Sequence, residues 1–155
     1  MNRQKLNKYG LELLWASLAI AVAVAVILIG DNLLGVQLEI FQGMSTFNAL
    51  WILDLILVPL VAGIIVSFIY GLGGKIIAHF PPLIAKCYVF YNLTPEMVPA
   101  GAEILPIGFW ILIVIVAVEA GAAGGLVGEI LIKKTYGRSP KHLLHKRYSQ
   151  KSIKS

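Results

Sequence analysis

Three long apolar runs, none of them interrupted by a basic residue, set the strongest constraint on how this chain folds. They cover Leu13–Ile29, Phe47–Leu72 and Ile104–Ile132, and each is long enough for a helix that crosses the ~30 Å core of a bilayer. The composition agrees, because 58% of the residues are hydrophobic and 14% are charged, whereas soluble domains carry about 25% charged residues. We therefore predict an all-α, polytopic membrane protein.

The basic residues are concentrated at the two ends of the chain, which has a net charge of +5. Basic residues close to a span stay on the cytoplasmic side, so we expect both termini in the cytoplasm and an even number of crossings. We expect the C-terminal cluster to contact anionic lipid headgroups or a partner, and not nucleic acid. Its members are Lys133, Lys134, Arg138, Lys141, Lys146 and Arg147.

An even number of crossings requires a fourth span, and residues 76–92 are the only segment that can supply it. This segment is apolar but contains His79, Pro81, Pro82 and Lys86, so we predict a short, proline-broken helix. The loop that follows, residues 93–103, has no basic residue, as expected outside the membrane. The alternative is a re-entrant hairpin, which would leave three crossings and place the C-terminal tail outside.

The predicted organisation is one transmembrane domain, residues 1–134, followed by a basic cytoplasmic tail, residues 135–155. The four spans are expected at about 11–30, 47–72, 76–92 and 104–132. Localisation in an inner or plasma membrane follows from this arrangement.

Glu12, His79 and Glu129 are expected near the cytoplasmic ends of the predicted spans. Three ionisable residues lie deeper inside: Asp54, Lys86 and Glu119. With a rise of ~1.5 Å per residue, each lies roughly 10 Å from the outer boundary, so the three are predicted to form one charge cluster. Such residues cost at least ~2.5 kcal/mol each at the centre of a bilayer and normally face protein or water. The cluster either fixes the helices together or binds a proton or ion. Pro59 favours the second interpretation slightly, because it cannot donate a hydrogen bond to the Leu55 carbonyl.

Small residues form faces on two spans, and we predict that these faces pack against other helices. On the fourth span they lie opposite Glu119, so both sides of that helix need protein or water. Ser17, Ala21 and Ala25 have similar spacing in the first span. The predicted packing residues of the second and fourth spans are Gly63, Ser67, Gly71, Ala117, Gly121, Gly124, Gly125 and Gly128.

The sequence contains no nucleotide-binding loop, nucleophile elbow or paired-histidine metal motif. The single cysteine, Cys87, excludes an internal disulfide and a cysteine metal cage. We therefore expect no enzyme activity, catalytic residue, cofactor or metal. The favoured function is a non-catalytic membrane subunit that assembles, through its small-residue faces, with itself or with other subunits of a larger complex. The alternative is a small oligomeric channel or a proton- or ion-coupled transporter that uses Asp54 and Glu119.

Overall fold

The structure, a computed structural model, describes residues 3–136 and is almost entirely helical in that range. Stretches of three helices are long and apolar enough to cross a membrane: residues 10–34, 49–70 and 107–134. The prediction of an all-α membrane protein is therefore confirmed at this level. The helices are α1 (Arg3–Leu34), α2 (Ala49–Tyr70), α3 (Gly74–Ile77), α4 (Phe80–Asn92) and α5 (Ile107–Tyr136), and the strands are β1 (Ile40–Phe41) and β2 (Glu103–Ile104).

The predicted third span consists of α3 and α4, which are separated at Ala78 and His79. Pro81 and Pro82 do not interrupt α4 but occupy its first turn. The amide groups of a first helical turn have no intrahelical acceptor, so proline is tolerated there without loss of a hydrogen bond. The break therefore lies just before the prolines.

Local signals define both ends of α2. The Asn48 side chain accepts a hydrogen bond from the Trp51 amide at 2.8 Å, which caps the start of the helix. Gly71 and Gly73 have φ values of 88° and 97°, a conformation that strongly favours glycine. These two glycines reverse the chain between α2 and α3.

The glycine face of α5 packs against α2 with backbones in close contact. A side chain on Gly63 would overlap the backbone of Gly121, and one on Gly124 would overlap the backbone of Leu60. The Ser67 hydroxyl donates a 2.6 Å hydrogen bond to the Gly125 carbonyl. The two helices run in the same direction along this seam.

The segment α3–α4 covers the other side of the same glycine face. Gly121 lies against Ala78 and Pro82, and Gly125 lies against Ala78 and Lys75. The glycines of this face are therefore used for packing inside one copy of the chain.

The buried face of α1 differs from the expected one. Ala19, Ala23 and Ile27 are buried in the core, with Ala62 and Val66 of α2, whereas Ser17, Ala21 and Ala25 are exposed. The Ser17 hydroxyl donates to the Leu13 carbonyl of its own helix, so it needs no partner on a neighbouring helix.

The loops at one end of the bundle form a small cap, which we define as residues 38–41 with residues 103–105. Ile40 pairs with Ile104 and Phe41 with Glu103 in an antiparallel ribbon. The Leu105 amide extends this pairing with a 3.0 Å hydrogen bond to the Glu39 carbonyl. Buried apolar side chains join the cap to α2 and α5: Leu38, Trp51, Leu55, Leu105, Ile113 and Ala117.

Candidate functional site: an acid–lysine cluster beneath the cap

Four charged side chains meet just beneath the cap, each from a different segment of the chain. Lys86 comes from α4, Asp31 from the last turn of α1, Asp54 from the second turn of α2, and Glu39 from the residue preceding β1. We call these four residues the acid–lysine cluster. Four separate segments have to be in place for this site to exist.

Lys86 lies at the centre of the cluster. Its Nζ atom donates a 2.8 Å hydrogen bond to Asp31 Oδ2, and it lies 3.9 Å from Asp54 Oδ2 and 4.0 Å from Glu39 Oε1. Only the contact with Asp31 is short enough for a hydrogen bond. The carboxyls of Asp54 and Glu39 are close enough to interact electrostatically with the lysine, but they receive no hydrogen bond from it.

The cluster is closed to solvent on most sides. The exposed fraction is 1% for Lys86, 0% for Asp54, 3% for Glu39 and 15% for Asp31. Four oxygen atoms in the cluster are buried without a hydrogen-bond partner among the described residues: Asp31 Oδ1, Glu39 Oε1, and Oδ1 and Oδ2 of Asp54. Buried polar atoms without a partner are uncommon, and each needs an explanation.

Glu39 lies in a loop, outside the three long apolar helices. Burial raises the pKa of the Glu39 carboxyl above its ordinary value of 4.5, and the nearby Lys86 charge offsets this only in part. The charge of Asp31 raises the pKa further. Loss of the Glu39 proton is therefore less favourable here than in water.

The structure brings two of the three predicted intramembrane charges together, namely Asp54 and Lys86, but not Glu119. Gly63 of α2 lies against Gly121 and Gly125 of α5. Residues at the same level of the two helices are therefore offset by about 60 in sequence number. The same offset places Asp54 level with about position 114 of α5, so Glu119 is roughly 7 Å further along the axis. Glu119 is also exposed, on the side of α5 away from the cluster.

Glu119 lies near the middle of the apolar part of α5, residues 107–134, roughly 18 Å from one end and 22 Å from the other. Within residues 3–136 it has no ion-pair partner. The side chains around it on the same exposed face are apolar: Leu112, Ile115, Ala123, Leu126 and Ile130. A single acid thus interrupts an otherwise lipid-compatible surface.

Asp31 and Glu39 are not among the predicted site residues, because both lie between the first two predicted spans, 11–30 and 47–72. The sequence does hold one signal for them. A lysine in a predicted span requires acidic partners, and these are the two acids nearest in sequence to Asp54 on its N-terminal side. Neither the axial level of α1 nor the folding of the loop onto α2 can be deduced from that signal.

Glu129 has a structural role that the sequence does not reveal. Its carboxylate accepts hydrogen bonds from the amides of Gly73 at 2.8 Å and Lys75 at 3.1 Å. It therefore fixes the turn between α2 and α3 to the far end of α5.

The remaining predicted site residues lie as follows. Gly63, Ser67, Gly121, Gly124, Gly125 and Gly128 are in the interhelical seams, while Gly71 forms the end of α2. Ala117 is buried beneath the cap. Lys133 and Lys134 are exposed at the end of α5. Arg138, Lys141, Lys146 and Arg147 lie outside the described residues, as does most of the predicted tail, residues 135–155.

Over the described range, no group of three His, Cys, Asp or Glu side chains is arranged to hold a metal ion. A scan against protein-family models and searches of curated proteins and of solved structures return no significant match to this chain.

Proposed function

We propose that this chain is a non-catalytic integral membrane subunit that binds another transmembrane protein through the exposed face of α5. The observation that carries the proposal is the exposure of Glu119 near the middle of an apolar helix. An acid in contact with lipid at this depth is unfavourable, and such residues normally face a protein partner or water.

The small-residue face of α5 is not the binding surface in this proposal, because Gly121, Gly124, Gly125 and Gly128 already pack against α2 and α3–α4. The Glu119 face is a different surface of the same helix. Binding is therefore assigned to the side of α5 that no other segment covers within residues 3–136.

The partner is expected to carry a Lys or Arg side chain at the level of Glu119. A second copy of this chain does not meet that requirement with its described spans. Lys86 of α4 is 1% exposed and already surrounded by three acids. Lys75 of α3 is exposed, but it lies beside Gly125, roughly 9 Å along the axis from the level of Glu119. Charge complementarity thus favours assembly with a different protein over assembly with itself.

The test is site-specific photo-crosslinking in native membranes. A photoreactive residue at Ala123, one turn from Glu119, should crosslink to a transmembrane protein that has a basic residue in a span. The same residue at Leu53, on an exposed part of α2, is the matched control. Crosslinking from Ala123 should be lost in Glu119→Lys and restored when the partner's basic residue is changed to Glu. Crosslinks to lipid alone, or crosslinks unaffected by Glu119→Lys, would overturn the proposal.

The proposal includes four membrane crossings with both termini in the cytoplasm, the third crossing being made by α3 and α4. Contacts at opposite levels of α5 support it. Lys75 lies beside Gly125, and the ring of Phe90 lies 4.4 Å from that of Trp110. These two contacts are fifteen residues apart along α5. Glu129, one turn beyond Gly125, accepts a hydrogen bond from the Lys75 amide in α3. From Trp110 to Glu129 the axis covers ~28 Å, close to the ~30 Å core.

Cysteine labelling tests this topology. In a Cys87→Ala background, single cysteines at Ser45 and Glu96 should react from one side of the membrane, and those at Glu12 and Lys134 from the other. Reaction of Lys134→Cys from the same side as Ser45→Cys would instead favour the re-entrant hairpin. Labelling in sealed vesicles of known orientation then decides whether the common side of the termini is cytoplasmic.

One observation favours the alternative function, a small oligomeric channel or a proton- or ion-coupled transporter. Asp54 is fully buried, and neither of its oxygen atoms has a hydrogen-bond partner among residues 3–136. If the chain transports protons or ions, purified protein in liposomes should collapse a pH or ion gradient. Asp54→Asn and Glu119→Gln should each stop the flux without reducing reconstitution. Absence of flux in the unmodified protein would remove this alternative.

A further inference from the structure

The acid–lysine cluster has more acids than its lysine can balance. Asp31, Glu39 and Asp54 all lie within 4.0 Å of Lys86 Nζ. If every group were ionised, the cluster would carry a net charge of −2. No other charged side chain forms an ion pair with these residues in the part of the chain that the structure describes.

Burial makes that excess charge costly. Glu39 and Asp54 are at most 3% exposed, and an ionised carboxylate without a hydrogen-bonded partner is far less stable in such a place than a neutral carboxylic acid. Asp31 differs from both, since it has a 2.8 Å charge-assisted hydrogen bond to Lys86. The ion pair Lys86–Asp31 is therefore satisfied, and the uncompensated charge belongs to Glu39 and Asp54.

The chemistry of the four unpartnered oxygen atoms of the cluster indicates which kind of group would satisfy them. All four are carboxyl oxygens, which accept hydrogen bonds when ionised and cannot donate them. Asp54 is the clearest case, because the side chain is 0% exposed, lies 3.9 Å from the lysine and lacks a partner at both oxygens within residues 3–136. Asp31 uses one of the three N–H groups of Lys86, and at 3.9 and 4.0 Å the lysine is too far away to donate to Asp54 or Glu39. A proton on one carboxyl supplies a donor and removes one negative charge.

Within the part of the chain that the structure describes, the titratable groups that face the cluster are its own four members. α1 contributes Asp31, the loop contributes Glu39, α2 contributes Asp54 and α4 contributes Lys86. The buried residues that α5 contributes beneath the cap, Ile113 and Ala117, are apolar. Glu119 of α5 and Glu103 of β2 are exposed.

We propose that the acid–lysine cluster is a proton-binding site, which at neutral pH holds one excess proton shared between Asp54 and Glu39 beside the Lys86–Asp31 ion pair. Binding takes one proton from water and forms one O–H bond on a carboxyl oxygen, with no change of oxidation state. The site does not depend on the α5 partner, and it exists whether or not the chain transports protons.

Infrared spectroscopy of the protein reconstituted in lipid tests the proposal, because a protonated carboxyl has a carbonyl band that a carboxylate lacks. The starting protein is Glu119→Gln, which removes the contribution of the acid on the exposed α5 face. At pH 7, where exposed carboxyls are ionised, this protein should still show a protonated-carboxyl band that shifts in D₂O. Absence of that band overturns the proposal.

Two further variants in the Glu119→Gln background assign the band. Asp54→Asn or Glu39→Gln should remove it, since either change takes away one of the two carboxyls that share the proton. A band that survives both single changes at full intensity would place the proton elsewhere and overturn the assignment. Glu96→Gln, a change in an exposed loop, is the matched control and should leave the band as it was.

Lys86→Met provides an independent test, because it should increase the intensity of the band instead of removing it. Without the ammonium group, Asp31 loses its ion-pair partner and should also become protonated, so the band should increase about twofold, from one carboxyl to two. An unchanged or smaller band in correctly folded Lys86→Met would contradict the proposed charge balance. Helical content measured by circular dichroism on the same samples establishes that the variant has folded.

Discussion

The ammonium group of Lys86 lies 2.8 Å from a carboxylate oxygen of Asp31, and the two residues are 55 positions apart in the chain. Their ion pair joins α4 to the last turn of α1. With 13 residues, α4 is about 20 Å long and cannot cross a ~30 Å bilayer core alone. Its position in the bundle therefore depends on tertiary contacts of this kind.

Lys86→Met should destabilise the protein by about 3–5 kcal/mol, because it leaves buried carboxylates without their counter-ion. Equilibrium unfolding in mixed micelles measures the change. Lys75→Met is the matched control, since the Lys75 side chain is exposed, and its effect should be close to zero. Adding Asp31→Asn to Lys86→Met should recover part of the loss. Equal effects of the two lysine substitutions would contradict this interpretation.

Asp31→Asn and Asp54→Asn should differ in stability, although both remove an acid from the same cluster. Asp31→Asn breaks a charged hydrogen bond and should cost about 1.5–3 kcal/mol. Asp54→Asn removes a carboxyl that has no hydrogen-bond partner in the described part of the chain and keeps the side-chain volume, so its effect should stay within about 1 kcal/mol. The reverse order in the same unfolding assay would show that Asp54, and not Asp31, is the main partner of Lys86.

Gly124→Ala should destabilise the bundle by about 1–3 kcal/mol, because the added methyl group would overlap the backbone of Leu60 at a rigid helix contact. Gly10→Ala, also in a helix, has open space around the new methyl group and should be neutral or stabilising by up to about 1 kcal/mol. Thermal unfolding in the same detergent compares the two. A tolerated Gly124→Ala would mean that α2 and α5 are further apart than described.

The cap should become less stable as pH rises, because burial raises the pKa of Glu39. A raised pKa in the folded state gives stabilisation that is complete below pH 4.5, the ordinary value, and is lost as pH increases through the raised value. Hydrogen exchange of the Leu105 amide, which donates to the Glu39 carbonyl, reports on the cap. Its protection, corrected for intrinsic exchange rates, should fall over this range. Glu39→Gln should abolish the dependence, and a dependence that persists in this variant would assign it to another group.

Part of the site could be predicted from the sequence. Asp54 and Lys86 are conspicuous because a charge inside an apolar segment is unfavourable in lipid, and this holds in any arrangement of the helices. Glu119 is conspicuous for the same reason, but its neighbours depend on which side of α5 faces the bundle. Gly121, Gly124 and Gly125 face α2 and α3–α4, since glycines permit the closest approach of helices. Glu119 is on the other side of α5 and is therefore exposed.

The sequence by itself determined that the chain is helical and built for a membrane, because hydropathy and helix length are properties of consecutive residues. Only the tertiary structure decided which acids surround Lys86. Asp31 reaches it because α1 continues to Leu34, and Glu39 reaches it because the ribbon with β2 folds its loop over the helix ends. Ion pairing requires atoms within a few ångströms, so it depends on helix rotation, axial offset and loop folding, none of which is encoded in a local stretch of residues.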